Sequence, residues 1–237
     1  MRAKRILKRV LLTMAAMILL LAGVFFLYTM QYYKADETAL KIYQTDSASI
    51  AVKREYTCFY PEPEKDLKKA FLFYPGGKVE ETAYAPLLEK LSKEGLTCIL
   101  LKMPFHLAVF DINAADKVFA DFPDIKSFYI GGHSLGGAMA SSYAAKHQDK
   151  VSGLILLAAY PVKKTDLPSI ILYGSEDGVL NRKKLEGLSG IHEIAGGNHA
   201  WFGDYGIQKG DGKAAITREA QQEETVKVIM EFLSKIS

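Results

Sequence analysis

Ser134 stands in Gly132-His133-Ser134-Leu135-Gly136, a G-x-S-x-G pattern. A serine hydroxyl is a weak nucleophile until a base takes its proton and a third group orients that base. Both partner types follow in the chain, Asp177 within Gly174-Ser175-Glu176-Asp177-Gly178 and His199 within Gly196-Gly197-Asn198-His199. Such a set can carry acyl transfer: the histidine removes the serine proton, and the aspartate holds the imidazole in the right tautomer.

The elements around these residues must bring them to one place. Short apolar runs read as strands at about 49–53, 55–60, 70–74, 97–101, 127–130, 153–157, 169–173 and 192–194. Helical patterns fall between them near 84–94, 114–122, 134–147 and 182–188. A last amphipathic helix is marked by Val226, Ile229, Met230 and Leu233. Fully apolar strands alternating with helices indicate a mostly parallel sheet covered on both faces, here of about eight strands with the first two antiparallel. Parallel strands deliver their C-terminal ends to one edge. Ser134, Asp177 and His199 each follow a strand directly, so all three are expected on that rim. The serine sits on a sharp strand-to-helix turn, where flanking glycines avoid collision and the helix N-terminus faces the developing negative charge.

The chain resembles a small bacterial α/β-hydrolase of the dienelactone-hydrolase-like (fold-5) group. The residues that carry the likeness are Tyr74-Pro75-Gly76-Gly77-Lys78, Gly131-Gly132-His133-Ser134-Leu135-Gly136-Gly137 and Gly196-Gly197-Asn198-His199-Ala200, and it extends over about 49–237. Dienelactone hydrolase uses a cysteine nucleophile, so Ser134 departs from it and dienelactone chemistry is not implied. In this fold the order is Ser, then Asp, then His. The oxyanion hole would be formed by the N–H groups of Leu135 and Gly77, with Lys78 the alternative to Gly77. Asp177 is preferred to its neighbour Glu176, because the acid usually sits three residues past the glycine closing its strand. Asp204 and Asp211 are read as loop-ordering groups, His147 and His192 as surface residues, and His133 as packing beside the serine. Phe105, His106, Tyr160, Trp201 and Phe202 are expected to wall a substrate site. Only about a dozen residues join the strands at 153–157 and 169–173, so no lid domain fits and the site should be open.

Charge and hydropathy describe the other end of the chain. The 237 residues carry 30 Lys and Arg, 27 Asp and Glu, and a formal charge of +3. Five of the basic residues are Arg2, Lys4, Arg5, Lys8 and Arg9; the 25 that remain are outnumbered by 27 acidic ones. The excess is therefore a tail property and does not indicate nucleic acid. From Val10 to Met30 there is no charge over 21 residues, which as a helix covers about 31 Å, the thickness of a bilayer core. Tyr32 and Tyr33 follow, as in an interfacial aromatic belt. The expected organisation is a cytoplasmic basic tail (1–9), a transmembrane signal anchor (10–30), a linker with a short helix (31–48) and an outward-facing hydrolase domain (49–237). A cleaved signal peptide is the rival reading, weakened by the lack of a small-residue cleavage site. Leu21-Ala22-Gly23 resembles the start of a lipoprotein box, but Val24 stands where its cysteine would be. Cys58 and Cys98 read as buried free thiols, although an outward location would permit a disulfide.

The expected activity is that of a serine carboxylesterase on a small-molecule or envelope ester. Acyl transfer to an envelope acceptor, or a non-catalytic binding protein on the same fold, are the alternatives. No metal, cofactor or nucleic-acid motif is present, and the substrate and oligomeric state are left open.

Overall fold

A computed structural model describes residues 2–44 and 49–236. It divides into two units, residues 1–32 and 33–237. The first holds a single helix, α1 (Arg2–Met30). Its segment Lys4–Met30 is long and apolar enough to cross a membrane, as an anchor or a signal sequence would.

The second unit is built on one eight-stranded sheet. Its strands are β1 (Ile50–Val52), β2 (Tyr56–Phe59), β3 (Lys69–Tyr74), β4 (Thr97–Leu101), β5 (Ser127–His133), β6 (Gly153–Leu157), β7 (Ser169–Gly174) and β8 (Ile191–Ile194). They lie in the order β1-β2-β4-β3-β5-β6-β7-β8. β1 pairs antiparallel with β2, and β2 antiparallel with β4; every other neighbour is parallel. The expected sheet is therefore present, with its antiparallel start.

Period-two alternation in β3 sorts the core into two layers. Phe71 and Phe73 point to one face, where they join Leu87, Leu91, Phe202 and Ile229 under α3 (Ala85–Lys93) and α5 (Arg218–Lys235). Ala70, Leu72 and Tyr74 point to the other, packing with Ile130, Ala140 and Tyr143 under α4 (Leu135–Ala144). The same alternation settles the cysteines. Cys58 pairs in register with Ile99, and Cys98 with Phe59, so the two thiols lie in opposite layers. Both are free, and burial pushes the Cys58 thiol up to about 12.

Two expectations are corrected. The helix expected over 114–122 is two 3₁₀ turns, Ala114–Lys117 and Phe119–Asp121. The Tyr74 hydroxyl takes the Ala115 N–H and donates to Ile112 O, and Asp116 accepts from Tyr143 and Lys150, while Val118, Asp121 and Phe122 N–H donate to the carbonyls three residues back rather than four. The helix expected over 182–188 is one turn, Arg182–Leu185, followed by Gly187 at φ +77°. Within the expected linker, the chain contacts the second unit from Tyr33. Tyr33 N–H donates to Lys78 O and Tyr33 O accepts from Glu80 N–H, both at 2.8 Å. Helix α2 (Glu37–Gln44) follows with Ala39 wholly buried, and Asp36 is paired with Arg218. Tyr33 is therefore part of the second unit. The expected end of the linker, 45–48, lies outside the described residues.

Candidate active site

β5 runs straight into Ser134, whose backbone takes φ +50°, ψ −123°. A non-glycine residue in this region is strained. It is held there by close packing that only glycines allow. A Cβ on Gly131 would lie 1.7 Å from Ile155 O, and one on Gly136 would lie 2.2 Å from Pro75 O. The turn thus presses against both neighbouring strands and lifts Ser134 onto the rim. Leu135 opens α4, directly after the serine.

Asp177 lies beyond β7 and His199 beyond β8, on the same rim. Asp177 Oδ2 faces His199 Nδ1 at 2.9 Å, with both side chains buried. The other carboxylate oxygen, Oδ1, accepts the N–H groups of Val179 and Leu180, each at 2.8 Å. The imidazole therefore has Nδ1 protonated toward Asp177 and Nε2 as its basic atom. Nε2 is buried and has no hydrogen-bond partner within the protein. It is not bonded to Ser134 Oγ here, but Ser134 and His199 line one cavity of about 290 Å³. Catalytic hydrogen bonds of this type commonly tighten only when a substrate binds. Glu176 is exposed and bonds to Ser175, so its rival Asp177 alone reaches the histidine.

The turn after β3 lies beside the serine. A Cβ on Gly77 would meet Leu135 Cδ2 at 2.7 Å and Leu135 Cβ at 3.2 Å. Gly76 N–H is taken by the Tyr84 hydroxyl at 3.0 Å, and Lys78 N–H by His106 O at 2.8 Å. Those two bonds engage the N–H groups on either side of Gly77, which packs against Leu135.

Behind the rim a buried polar chain joins three loops. The Tyr84 hydroxyl accepts from Gly76 N–H and donates to His133 Nδ1 at 2.8 Å; His133 Nε2–H donates to His199 O at 3.0 Å. Burial, with His199 adjacent, drives the His133 imidazole well below its usual pKa, so it stays neutral. His133 thus packs beside the serine as expected. Tyr84 was not singled out in the sequence, and a lone tyrosine before a helix carries no signal of such a role.

Two loop aspartates behave as expected. Asp211 accepts four backbone N–H groups: Gly178, His199 and Gly212 on Oδ1, Ala200 on Oδ2. Asp204 is buried and accepts from Arg218 and Gln222. Asn198 and Gln221 bond backbone to side chain in both directions, Asn198 N–H to Gln221 Oε1 and Gln221 Nε2 to Asn198 O. Gln221 lies on the buried face of α5, where polar residues break the apolar pattern that marked the helix.

The expected substrate wall is largely redrawn. Tyr160 lines the cavity, with Leu135, Ala138, Ala158, Val179 and Leu180. Phe202 does not: it is fully buried in the core beneath His133. Trp201 is half-buried and packs on that same core layer. Phe105 and His106 sit on the loop after β4, where Phe105 packs edge-on against Phe110 and His106 faces Glu81. Of the remaining histidines, His147 stacks on Tyr143 and His192 bonds Glu224. Only 11 residues, 158–168, join β6 to β7, with no inserted domain. A larger groove of about 670 Å³ runs between α3 and α5, lined by Lys90, Glu94, Val226 and Met230 among others, with no nucleophile–base pair. Among the described residues no cluster could hold a metal ion.

Residues 70–223 match the family model of the alpha/beta hydrolase family. The chain belongs to that family. Solved structures share its fold at low identity. Est1E from Butyrivibrio proteoclasticus is 15% identical with a TM-score of 0.56, covering 78% of this chain and 98% of its own. A dienelactone hydrolase from Anabaena variabilis is 17% identical with a TM-score of 0.51, covering 74% and 90%. A protein of Mycobacterium phage D29, named as a candidate non-heme haloperoxidase, is 30% identical over 97 residues, 37% of this chain. The chain matches 35% of that relative's length. In this family member the residue between β5 and α4 is Ser134.

Proposed function

We propose that the protein is a serine hydrolase of carboxylic esters, working through an acyl-enzyme. The observation that carries this reading is the buried 2.9 Å contact of His199 Nδ1 with Asp177 Oδ2, which leaves Nε2 without a partner on a histidine that lines the same cavity as Ser134. His199 Nε2 takes the Ser134 proton as Oγ attacks the ester carbonyl. The negative charge of the tetrahedral intermediate is met by the N–H groups of Leu135 and Gly77. The imidazolium, stabilised by Asp177, gives its proton to the departing alcohol. Water then repeats the sequence on the acyl-enzyme and releases the acid. The uncharged cavity walls favour a neutral acyl group, and Tyr160 offers it an aromatic face.

The apolar segment of α1 is the proposed membrane anchor, with the basic residues before it holding the N-terminus in the cytoplasm and the hydrolase unit outside.

A fluorophosphonate probe tests the assignment on the full chain in detergent. Labelling is expected on Ser134 and lost in Ser134→Ala, whose turnover of p-nitrophenyl butyrate should fall by on the order of 10⁴-fold. Undiminished hydrolysis by that variant would refute the proposal.

A further inference from the structure

The chain enters the hydrolase unit next to the site. Tyr33 is its first residue, and it forms a parallel bridge with Val79, two residues past Gly77. Tyr33 also accepts Lys209 N–H on its hydroxyl at 3.0 Å and packs its ring on Tyr205 at 5.6 Å. The entry point is thereby tied both to the turn after β3 and to the loop after His199.

Helix α1 ends at Met30, leaving only Gln31 and Tyr32 before Tyr33. Three residue steps reach about 11 Å at full extension. The entry point at Tyr33, bridged to the turn after β3, therefore lies no farther than that along the chain from the last residue of α1. Entry at the other edge of the sheet would have set the site farther off by a strand length, about 20 Å.

The same rim exposes apolar side chains. Ile207, two residues before Lys209, is 91% exposed. Phe105 and Phe110, on the loop whose His106 carbonyl takes Lys78 N–H, are each 51% exposed. Val179, which lines the cavity, is exposed as well. These residues leave the C-terminal ends of β4, β7 and β8, the edge to which the tether is fastened.

We propose that this rim rests on the surface of the bilayer that holds α1, and that the ester is a membrane-borne amphiphile. Its acyl or alcohol part stays in the lipid while the ester bond rises to Ser134. A cavity of about 290 Å³ needs to hold only the part next to the ester. The substrate assignment rests on the ester-hydrolase reading above; the surface assignment rests on the tether and the rim.

The test uses the full chain in phosphatidylcholine vesicles. A bimane fluorophore on Ile207→Cys should be quenched at least about twofold more by lipids carrying a shallow doxyl group than one on Leu188→Cys, at the opposite edge before β8. Equal quenching overturns the surface assignment, whether or not the enzyme is active. A second arm inserts 20 Gly and Ser residues between Gln31 and Tyr32, a flexible reach of roughly 25 Å. Turnover of p-nitrophenyl palmitate carried in the vesicles should fall about tenfold, and that of soluble p-nitrophenyl butyrate should not change. Phe110→Ser with Ile207→Ser should show the same split. Equal responses of the two esters overturn the substrate assignment. If the parent chain turns over neither ester, the ester-hydrolase reading fails, and the quenching arm still decides the surface.

Discussion

Asp211 Oδ1 accepts the backbone N–H of His199 at 3.1 Å and, on the same oxygen, that of Gly178 at 3.2 Å. One carboxylate therefore ties the loop of the histidine to the loop of Asp177. A Cβ on Gly212 would lie 1.9 Å from Glu176 O, so the Asp211 segment is wedged between them.

This makes Asp211 a positioning residue. Asn retains one acceptor oxygen and must turn an NH₂ group toward an N–H donor. Asp211→Asn is expected to lower kcat on p-nitrophenyl butyrate by about 10- to 100-fold with KM changed little, in line with the 1.5–3 kcal/mol of a hydrogen bond to a charged group. A fall in melting temperature with kcat intact would show that the loops hold their register without it.

Asp177→Asn removes the acceptor that selects the working tautomer of His199. Turnover should drop by roughly 10⁴-fold while the fold persists. Steady-state kinetics with a circular dichroism spectrum checks both halves.

Tyr84→Phe deletes the hydroxyl that serves Gly76 N–H and His133 Nδ1, leaving two buried polar groups unpaired. The expected destabilisation is about 2–6 kcal/mol, read as a lower urea midpoint, because each of the two orphaned groups costs about 1–3 kcal/mol. Slower acylation should accompany it, since the freed turn carries Gly77. A stability equal to the parent would contradict the network.

His133 predicts a pH dependence of stability. Its folded pKa lies well below the ordinary value, with burial the main cause. The unfolded chain takes up a proton near pH 6.5 that the native state refuses. Stability from this group is complete above pH 6.5 and is lost as pH falls below it, by up to about 1.4 kcal/mol per pH unit. Unfolding midpoints measured from pH 7.5 to 5 should fall less steeply in His133→Gln than in the parent. Equal slopes would show that His133 ionises in the folded protein.

A fifth test concerns close approach. Gly136→Ala sets a methyl group 2.2 Å from the Pro75 carbonyl and 2.3 Å from that of Tyr74. Neither oxygen can move without shifting β3, so a loss of more than about 3 kcal/mol is expected. Yield of folded protein and thermal melting report it.

Much of this was legible in the amino-acid sequence. Short apolar runs such as Ala70-Phe71-Leu72-Phe73-Tyr74 can satisfy both faces only as buried strands. Parallel strands share an exit edge, so residues following β5, β7 and β8 had to meet there. The choice of Asp177 over Glu176 came from the resemblance, which puts the acid three residues past the glycine that closes its strand. Periodicity failed where an apolar spacing fitted two structures. Ala115 and Val118 are both buried three residues apart, a spacing that 3₁₀ turns align as an α-helix does, and the segment folds as separate turns.

Tertiary structure alone decided the rest. No local pattern distinguishes Phe202, sealed in the core, from Tyr160, which faces the cavity. Both are aromatic residues in loops, and burial depends on what packs over them. Tyr84 and Asp211 are joined to their partners across 49 and 12 residues, respectively. Tyr33 meets Val79 only because β3 brings its turn to the chain entry. Strand and helix periods report which face of an element is apolar; they carry no information on which loops will touch. That is set when the sheet closes and its rim loops compete for the same donors and acceptors.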